Sequence, residues 1–223
     1  MCGRFAQQRP ASELAEIFSA EPLVEDPGPR FNVAPTDEAL VVVQREDRRG
    51  VTAYHWGLIP HWADSAKVGS RMFNARAETL VTAPAFRDSF QRKRCLVPVE
   101  CFYEWRREGD VRQPYTIGRA DGSPLVLAGL WDGWRDPATD AVRRTFTIVT
   151  SAPNEAMASI HNRMPVILPE DDWGTWLDRD FADRGRLRAM LEPREDGPEL
   201  AIRAVSQLVN NVRNDGPELV API

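Results

Sequence analysis

The sequence predicts an α+β fold: one domain with a β-rich centre, a curved or barrel-like and mostly antiparallel sheet, and helices at its periphery. Three observations predict it. Short runs rich in Val, Ile, Leu and aromatics alternate with Gly-, Asp- and Pro-rich turns, the pattern of strands joined by tight reversals. Helical periodicity is confined to short segments before, between and after those runs. Finally, no repeat, low-complexity tract or long linker divides the 223 residues, and a 43% hydrophobic content suffices for a substantial core.

Ser12 to Phe18 reads as a short amphipathic helix, with Ser12 as N-cap and Leu14, Ile17 and Phe18 on one face. Residues 21–29, acidic and Pro-rich, read as a loop, and 31–36 as an extended segment closed by a proline. Ala39 to Gln44 and Val51 to Trp56 form a hairpin about the charged turn 45–50. Trp56-Gly57-Leu58-Ile59-Pro60-His61-Trp62 fits neither a regular strand nor a helix, so it reads as a shaped loop displaying aromatic surface; burial of both rings in the core is the alternative. Pro84 to Lys93 is a helix with a basic end.

Strands follow at 95–98, 102–105, 114–117, 125–131 and 145–150. Asn154 to Ile160 is helical and delivers His161, residues 170–177 and 181–191 are helices, and 202–205 is a returning strand. The Gly-, Asp- and Pro-rich turns imply antiparallel pairing and a closed or strongly curved sheet.

Charge and composition narrow the function. A net charge of -5 argues against a protein that coats nucleic acid indiscriminately, though a local basic groove remains compatible with it. Apart from Lys67 and Lys93 the cations are all arginines, which contact phosphate in planar, bidentate fashion. Aliphatic runs such as Ala39 to Val43 are far too short to span a bilayer, and the first ten residues lack a secretory apolar region. Cys2, Cys95 and Cys101 form neither a disulfide framework nor a zinc pattern. We therefore expect no metal or cofactor, no membrane association, a reducing cytoplasmic setting and a monomer.

Chemistry concentrates in four places. Cys2 directly follows Met1, so removal of Met1 leaves a free α-amine and a thiol on adjacent carbons. Such a 1,2-aminothiol condenses with an aldehyde to a Schiff base, and the thiol then closes a five-membered thiazolidine. Reference pKa values of about 8 and about 8.5 leave both groups partly deprotonated near neutrality. Otherwise Cys2 is simply an early residue. Glu104 lies among aromatics in Phe102-Tyr103-Glu104-Trp105, and alternation places it on the face of Phe102, away from Tyr103 and Trp105. A carboxylate there is either on a strand edge or buried, with a raised pKa suited to proton transfer.

His161, next to Arg163, is an acid/base candidate or a structural histidine. Asn74 is a turn residue or an amide that holds a substrate hydroxyl or amine. Arg4, Arg76 and Arg163 each stand two residues from Cys2, Asn74 and His161, which points to an anionic substrate threaded past these groups, with Trp62 and Trp105 as stacking platforms for bases.

Eight segments in this order make the chain similar to the SOS response-associated peptidase (SRAP) family. They are Met1-Cys2-Gly3-Arg4-Phe5, Phe31-Asn32-Val33-Ala34-Pro35-Thr36, Trp56-Gly57-Leu58-Ile59-Pro60, Asn74-Ala75-Arg76-Ala77-Glu78-Thr79, Arg94-Cys95-Leu96-Val97-Pro98, Phe102-Tyr103-Glu104-Trp105, Ala128-Gly129-Leu130-Trp131 and His161-Asn162-Arg163-Met164-Pro165. The resemblance implies a sensor of abasic sites in single-stranded DNA that traps the deoxyribose aldehyde as a thiazolidine crosslink through Cys2, after loss of Met1 by autoprocessing or an aminopeptidase. It carries catalytic roles onto Cys2, Asn74, Glu104 and His161, and DNA contacts onto Arg4, Trp62, Arg76, Trp105 and Arg163. Weak lyase activity follows from the Schiff base, and nucleoid association from DNA binding.

Three other readings stay open at this point. N-terminal-nucleophile amidotransferases also begin Met-Cys-Gly, but this chain lacks any Asn-Gly dipeptide or a second synthase domain. A non-covalent single-stranded DNA binder would make Cys2 incidental. A thiol peptidase acting on other proteins would use Cys2, or Glu104 with His161.

Overall fold

A computed structural model describes residues 2–223. Two sheets carry the fold. In chain order the elements begin with β1 (Phe5–Gln7), α1 (Ala11–Ile17), β2 (Glu21–Pro22), β3 (Arg30–Val33), β4 (Glu38–Arg45), β5 (Arg48–Trp56) and β6 (Asn74–Arg76). They continue with α2 (Pro84–Arg92), β7 (Arg94–Val99), β8 (Cys101–Glu108), β9 (Val111–Arg119), β10 (Leu125–Arg135) and β11 (Val142–Ser151). The chain ends with α3 (Glu155–Ala158), β12 (Met164–Pro165), α4 (Glu170–Leu177), α5 (Arg184–Ala189) and β13 (Leu200–Ala204). The expected α+β class, with a β-rich barrel-like centre and peripheral helices, is what the chain adopts.

The larger sheet runs β12-β11-β10-β7-β4-β5-β2, and an additional β11–β5 pairing closes its middle into a barrel of β11, β10, β7, β4 and β5. The seam is parallel, Thr145 opposite His55 and Phe146 opposite Trp56, and β6 also runs parallel along β11. These parallel contacts are the minority in a mostly antiparallel arrangement, as expected. Closure brings together strands distant in sequence, so turn chemistry, which reports only on neighbours, carries no signal for them. β7 is buried at every position between β10 and β4. Gly129 of β10 permits that approach, since a Cβ there would lie 2.7 Å from Cys95 Sγ.

The smaller sheet, β13-β9-β8-β1-β3, is antiparallel and holds the N-terminal strand near its centre. Gln7 locks β1 onto the barrel. Its buried amide donates to the carbonyls of Leu40 (2.9 Å) and Pro98 (2.7 Å), and its oxygen accepts from Leu40 N (2.7 Å). A buried side-chain amide satisfied in this way aligns two elements rigidly.

Local departures from the expected elements have local causes. α1 starts after Pro10, whose extended conformation makes it the N-cap, so Ser12 lies inside the first turn rather than capping it. Leu14 and Phe18 are buried, Phe18 against Trp173 at 4.7 Å, whereas Ile17 is exposed. The β4–β5 hairpin turns in only two residues, Glu46 and Asp47, with Glu46 at φ 52. Glu21–Pro22, expected in a loop, adds a short parallel strand to β5. The helix expected over 181–191 is shorter, because Asp183 caps Arg186 N and starts it there. In the Trp56 to Trp62 stretch, Trp56 ends β5 fully buried between Phe5, Phe73 and Phe146 while Trp62 is exposed.

Arg94 shows how the helices dock. It is buried, and donates from Nε to Trp176 O (2.6 Å), from Nη1 to Phe90 O (2.8 Å) and Gln91 O (2.6 Å), and from Nη2 to Asp178 O. These are C-terminal carbonyls of α2 and α4, which helical bonding leaves open. Arg94→Met keeps the apolar stem and orphans the four carbonyls. We expect it to lower stability by about 3 kcal/mol or more, read as a urea midpoint shift at unchanged m-value. Among the described residues no helix is long and apolar enough to cross a membrane.

Candidate active site

β1 delivers Cys2 into the junction between the two sheets. Phe5 pairs with Phe102 of β8 on one side and Val33 of β3 on the other, and Tyr103 N donates to Arg4 O at 2.9 Å. Cys2 is fully buried, in one cluster with Phe5, Phe102, Met157, Ile160 and Met164. Burial pushes its thiol pKa well up, and the Glu104 carboxylate adds to the rise. The resting sulfur is therefore a thiol, not a thiolate. Met1, whose removal the aminothiol chemistry needs, lies outside the described residues.

Three elements converge on this strand end. β6 places Asn74 there, and its Nδ2 donates to Cys2 O at 2.7 Å while its buried Oδ1 has no hydrogen-bond partner among the described residues. β8 places Glu104, only 3% exposed, so the strand-edge alternative is excluded. The alternation read from sequence holds: Phe102 packs with Cys2, and Tyr103 and Trp105 join a separate cluster behind. Burial raises the Glu104 pKa to about 6. The turn after α3 carries His161, half-buried, beside Ile160 and Met164 of the Cys2 cluster.

The His161 ring is held by its own loop. Nδ1 lies 3.1 Å from Arg163 N and 3.3 Å from Arg163 O, so the backbone of the loop meets that nitrogen in either tautomer. Burial lowers the His161 pKa. Arg163 is anchored in turn, bidentate to Glu78 (2.5 and 3.0 Å) and from Nη2 to Thr150 O (2.5 Å). Those bonds hold the Glu78 carboxyl below its usual range.

The predicted DNA-contacting residues divide. Arg4 is half-buried: Nη1 donates to Asn32 Oδ1 (2.6 Å) and Val209 O (2.9 Å), and its guanidinium lies 5.9 Å from the centre of the Trp105 ring. Arg4, Trp105, Cys2 and Glu104 thus share one strand junction. Arg76 is exposed at the end of β6, opposite Thr150. Trp62 stands apart. Its loop is fixed elsewhere, with His61 N and Nδ1 on Asp132 Oδ2 (2.9 and 3.1 Å) and Trp134 Nε1 on Ala63 O (2.6 Å). No hydrogen bond or ring contact among the described residues links Trp62 to the Cys2 junction.

Sequence reasoning passed over Asn32 and Glu78. Asn32 had a readable signal, since a polar residue between Phe31 and Val33 is as anomalous as Glu104. Among the described residues no group of His, Cys, Asp and Glu could hold a metal ion.

The profile of the family "SOS response associated peptidase (SRAP)" matches residues 1–212. The chain is 36% identical over 223 residues to the Bacillus subtilis "Abasic site processing protein YoqW", covering 99% of each. It is 29% identical to the Escherichia coli "Abasic site processing protein YedK", covering all of both. Against the "Abasic site processing protein HMCES" of Gallus gallus it is 31% identical over 87% of this chain and 66% of the relative. A crystal structure of a Bacteroides thetaiotaomicron protein superposes with a TM-score of 0.87 at 25% identity over all of both chains. The chain therefore belongs to the SRAP family of abasic site processing proteins.

Proposed function

We propose that this protein captures the aldehyde of an abasic site in single-stranded DNA on Cys2, after removal of Met1, as a thiazolidine crosslink that shields the lesion. The observation that carries the reading is the junction itself: Cys2 beside the buried carboxyl of Glu104, with its carbonyl gripped by Asn74. The relatives' names supply the substrate class.

Because burial keeps the sulfur protonated, the amine acts first. Glu104, ionised above its pKa of about 6, takes a proton from the Cys2 ammonium. His161 takes the anomeric hydroxyl proton of the closed sugar and returns a proton to the departing ring oxygen, exposing the aldehyde. The amine adds to that carbon, Glu104 returns its proton to the carbinolamine hydroxyl, which leaves as water, and an iminium forms. The thiol then adds to the iminium carbon, the C–S bond forms, and the S–H proton passes to the carboxylate. Asn74 orients residue 2 through its carbonyl, and its Oδ1, unpaired among the described residues, is an acceptor for the sugar hydroxyl or the amine. Arg4, Arg76 and Arg163 hold flanking phosphates, and Trp62 and Trp105 meet unstacked bases. Single strands are favoured because a duplex hides the lesion. We take the protein to act as a cytoplasmic monomer, nucleoid-bound when crosslinked, with Met1 removed by itself or by an aminopeptidase and weak lyase activity from the imine.

The test is a single-stranded oligonucleotide with one abasic site, incubated with protein whose Met1 loss is verified by intact mass, and run on a denaturing gel. A heat-resistant band is expected, absent with a tetrahydrofuran analogue that has no aldehyde. No adduct from processed protein would overturn the reading and leave non-covalent binding or peptidase activity, separable by salt dependence and a peptide library. Asn74→Ala removes the grip on residue 2, and the adduct rate is expected to fall at least about tenfold with binding changed much less.

A further inference from the structure

The C-terminal segment reaches back over the N-terminal strand and completes the site. Asn32, on β3, is 1% exposed, and its Nδ2 donates to the carbonyls of Val209 (3.3 Å), Asn211 (3.1 Å) and Asn214 (2.8 Å). Asp215 Oδ1 accepts from Phe31 N (2.5 Å) and Asn32 N (3.0 Å), and its Oδ2 accepts from Arg30 Nε (2.6 Å). Residues 206–215 are thereby clasped onto β3. The clasp touches the site at two points: Val209 O and Asn32 Oδ1 hold Arg4, and Asn210 Oδ1 accepts from Trp105 Nε1 at 2.7 Å.

An exposed asparagine whose side chain holds an indole N–H contributes little to folding. What it does is choose a ring orientation. A half-buried indole with its N–H anchored presents one edge and one face, and the guanidinium of Arg4 lies 5.9 Å from the ring centre. Both side chains are thus set before any strand arrives, and a preset platform avoids the entropy loss of ordering it on binding.

We infer that Asn210 is a positioning residue for the nucleic-acid strand, acting through Trp105, and that residues 206–215 are a working part of the site. The inference rests on the proposed function, since it names how the strand beside the reactive aldehyde is held.

The test is a double-mutant cycle on processed full-length protein with Asn210→Ala, Trp105→Phe and the combination. Affinity for an undamaged oligonucleotide and the adduct rate at saturating abasic oligonucleotide are measured separately. Asn210→Ala is expected to weaken affinity about three- to tenfold, the range of one neutral hydrogen bond, with the saturating adduct rate and the melting temperature nearly unchanged. In the Trp105→Phe background, where no indole N–H remains, the same substitution is expected to change nothing. Equal losses in both backgrounds, or no loss in the wild-type background, overturn the inference. Absence of any adduct from wild-type protein defeats instead the functional reading on which it rests.

Discussion

Replacing Cys2 with serine or alanine is expected to remove the heat-resistant adduct to the gel background and to convert the protein into a strand-cleaving one. Both variants, once Met1 is gone, keep an α-amine at the position where Asn74 grips the residue-2 carbonyl. The first half of the proposed reaction therefore survives: amine adds to aldehyde, water leaves, and an iminium forms. The second half is lost. Alanine has nothing to add, and a serine hydroxyl is a far weaker nucleophile than sulfur. An iminium that cannot close has two exits, hydrolysis and loss of the adjacent proton with β-elimination of the 3′ phosphate. Borohydride should thus trap a covalent species with either variant, while untreated samples show more incised oligonucleotide than wild type. If Cys2→Ala still formed a heat-stable adduct, another nucleophile would be at work. Cys95 and Cys101 are poor candidates, since both are internal and buried and neither carries the α-amine that forms the iminium.

Much of this arrangement was legible in the sequence, for identifiable reasons. Glu104 announced itself because a carboxylate on an apolar strand must be paired, functional or at the edge, and strand alternation already assigned its face. Cys2 was legible because its chemistry depends only on its place in the chain. The strands were legible because each lies between turn signals that act over a few residues. What was not legible depends on long-range closure. Nothing local says that β5 meets β11 in parallel, or that Asn74 reaches Cys2 across 72 positions. Arg4 shows the limit most clearly. Its place beside Cys2 suggested a phosphate contact, yet Asn32 and Val209 hold part of its guanidinium, and only the fold brings residue 209 there. Asn210 carried no signal, because an exposed asparagine in a polar turn is ordinary until an indole is found against it.

Glu104→Gln is expected to cost activity and to return stability. Gln keeps the shape and loses the base, so the adduct rate above pH 7 should fall by about a hundredfold or more, within the usual range for removal of a general base. Wild-type rates should rise with pH through an apparent pKa near 6, where burial places the Glu104 carboxyl, and that limb should vanish in the variant. The stability effect follows by linkage. The folded protein holds the Glu104 proton up to about pH 6, whereas an unfolded glutamate releases it near 4.5. Between those values the folded state binds more protons than the unfolded one, so this group's contribution to stability falls as pH rises, levelling off above about pH 6. A rise of about 1.5 pH units corresponds to about 2 kcal/mol against the native state at neutral pH. Glutamine, which cannot ionise, escapes that penalty. Glu104→Gln should therefore melt about 5 °C higher than wild type at pH 7.5, with the gap closing by pH 4.5. Calorimetry at both pH values checks this directly. A variant that lost activity and also melted lower at pH 7.5 would mark Glu104 as a structural carboxylate held by its partners. The expected opposite signs, slower chemistry with a firmer fold, are what a buried base kept for its function should give.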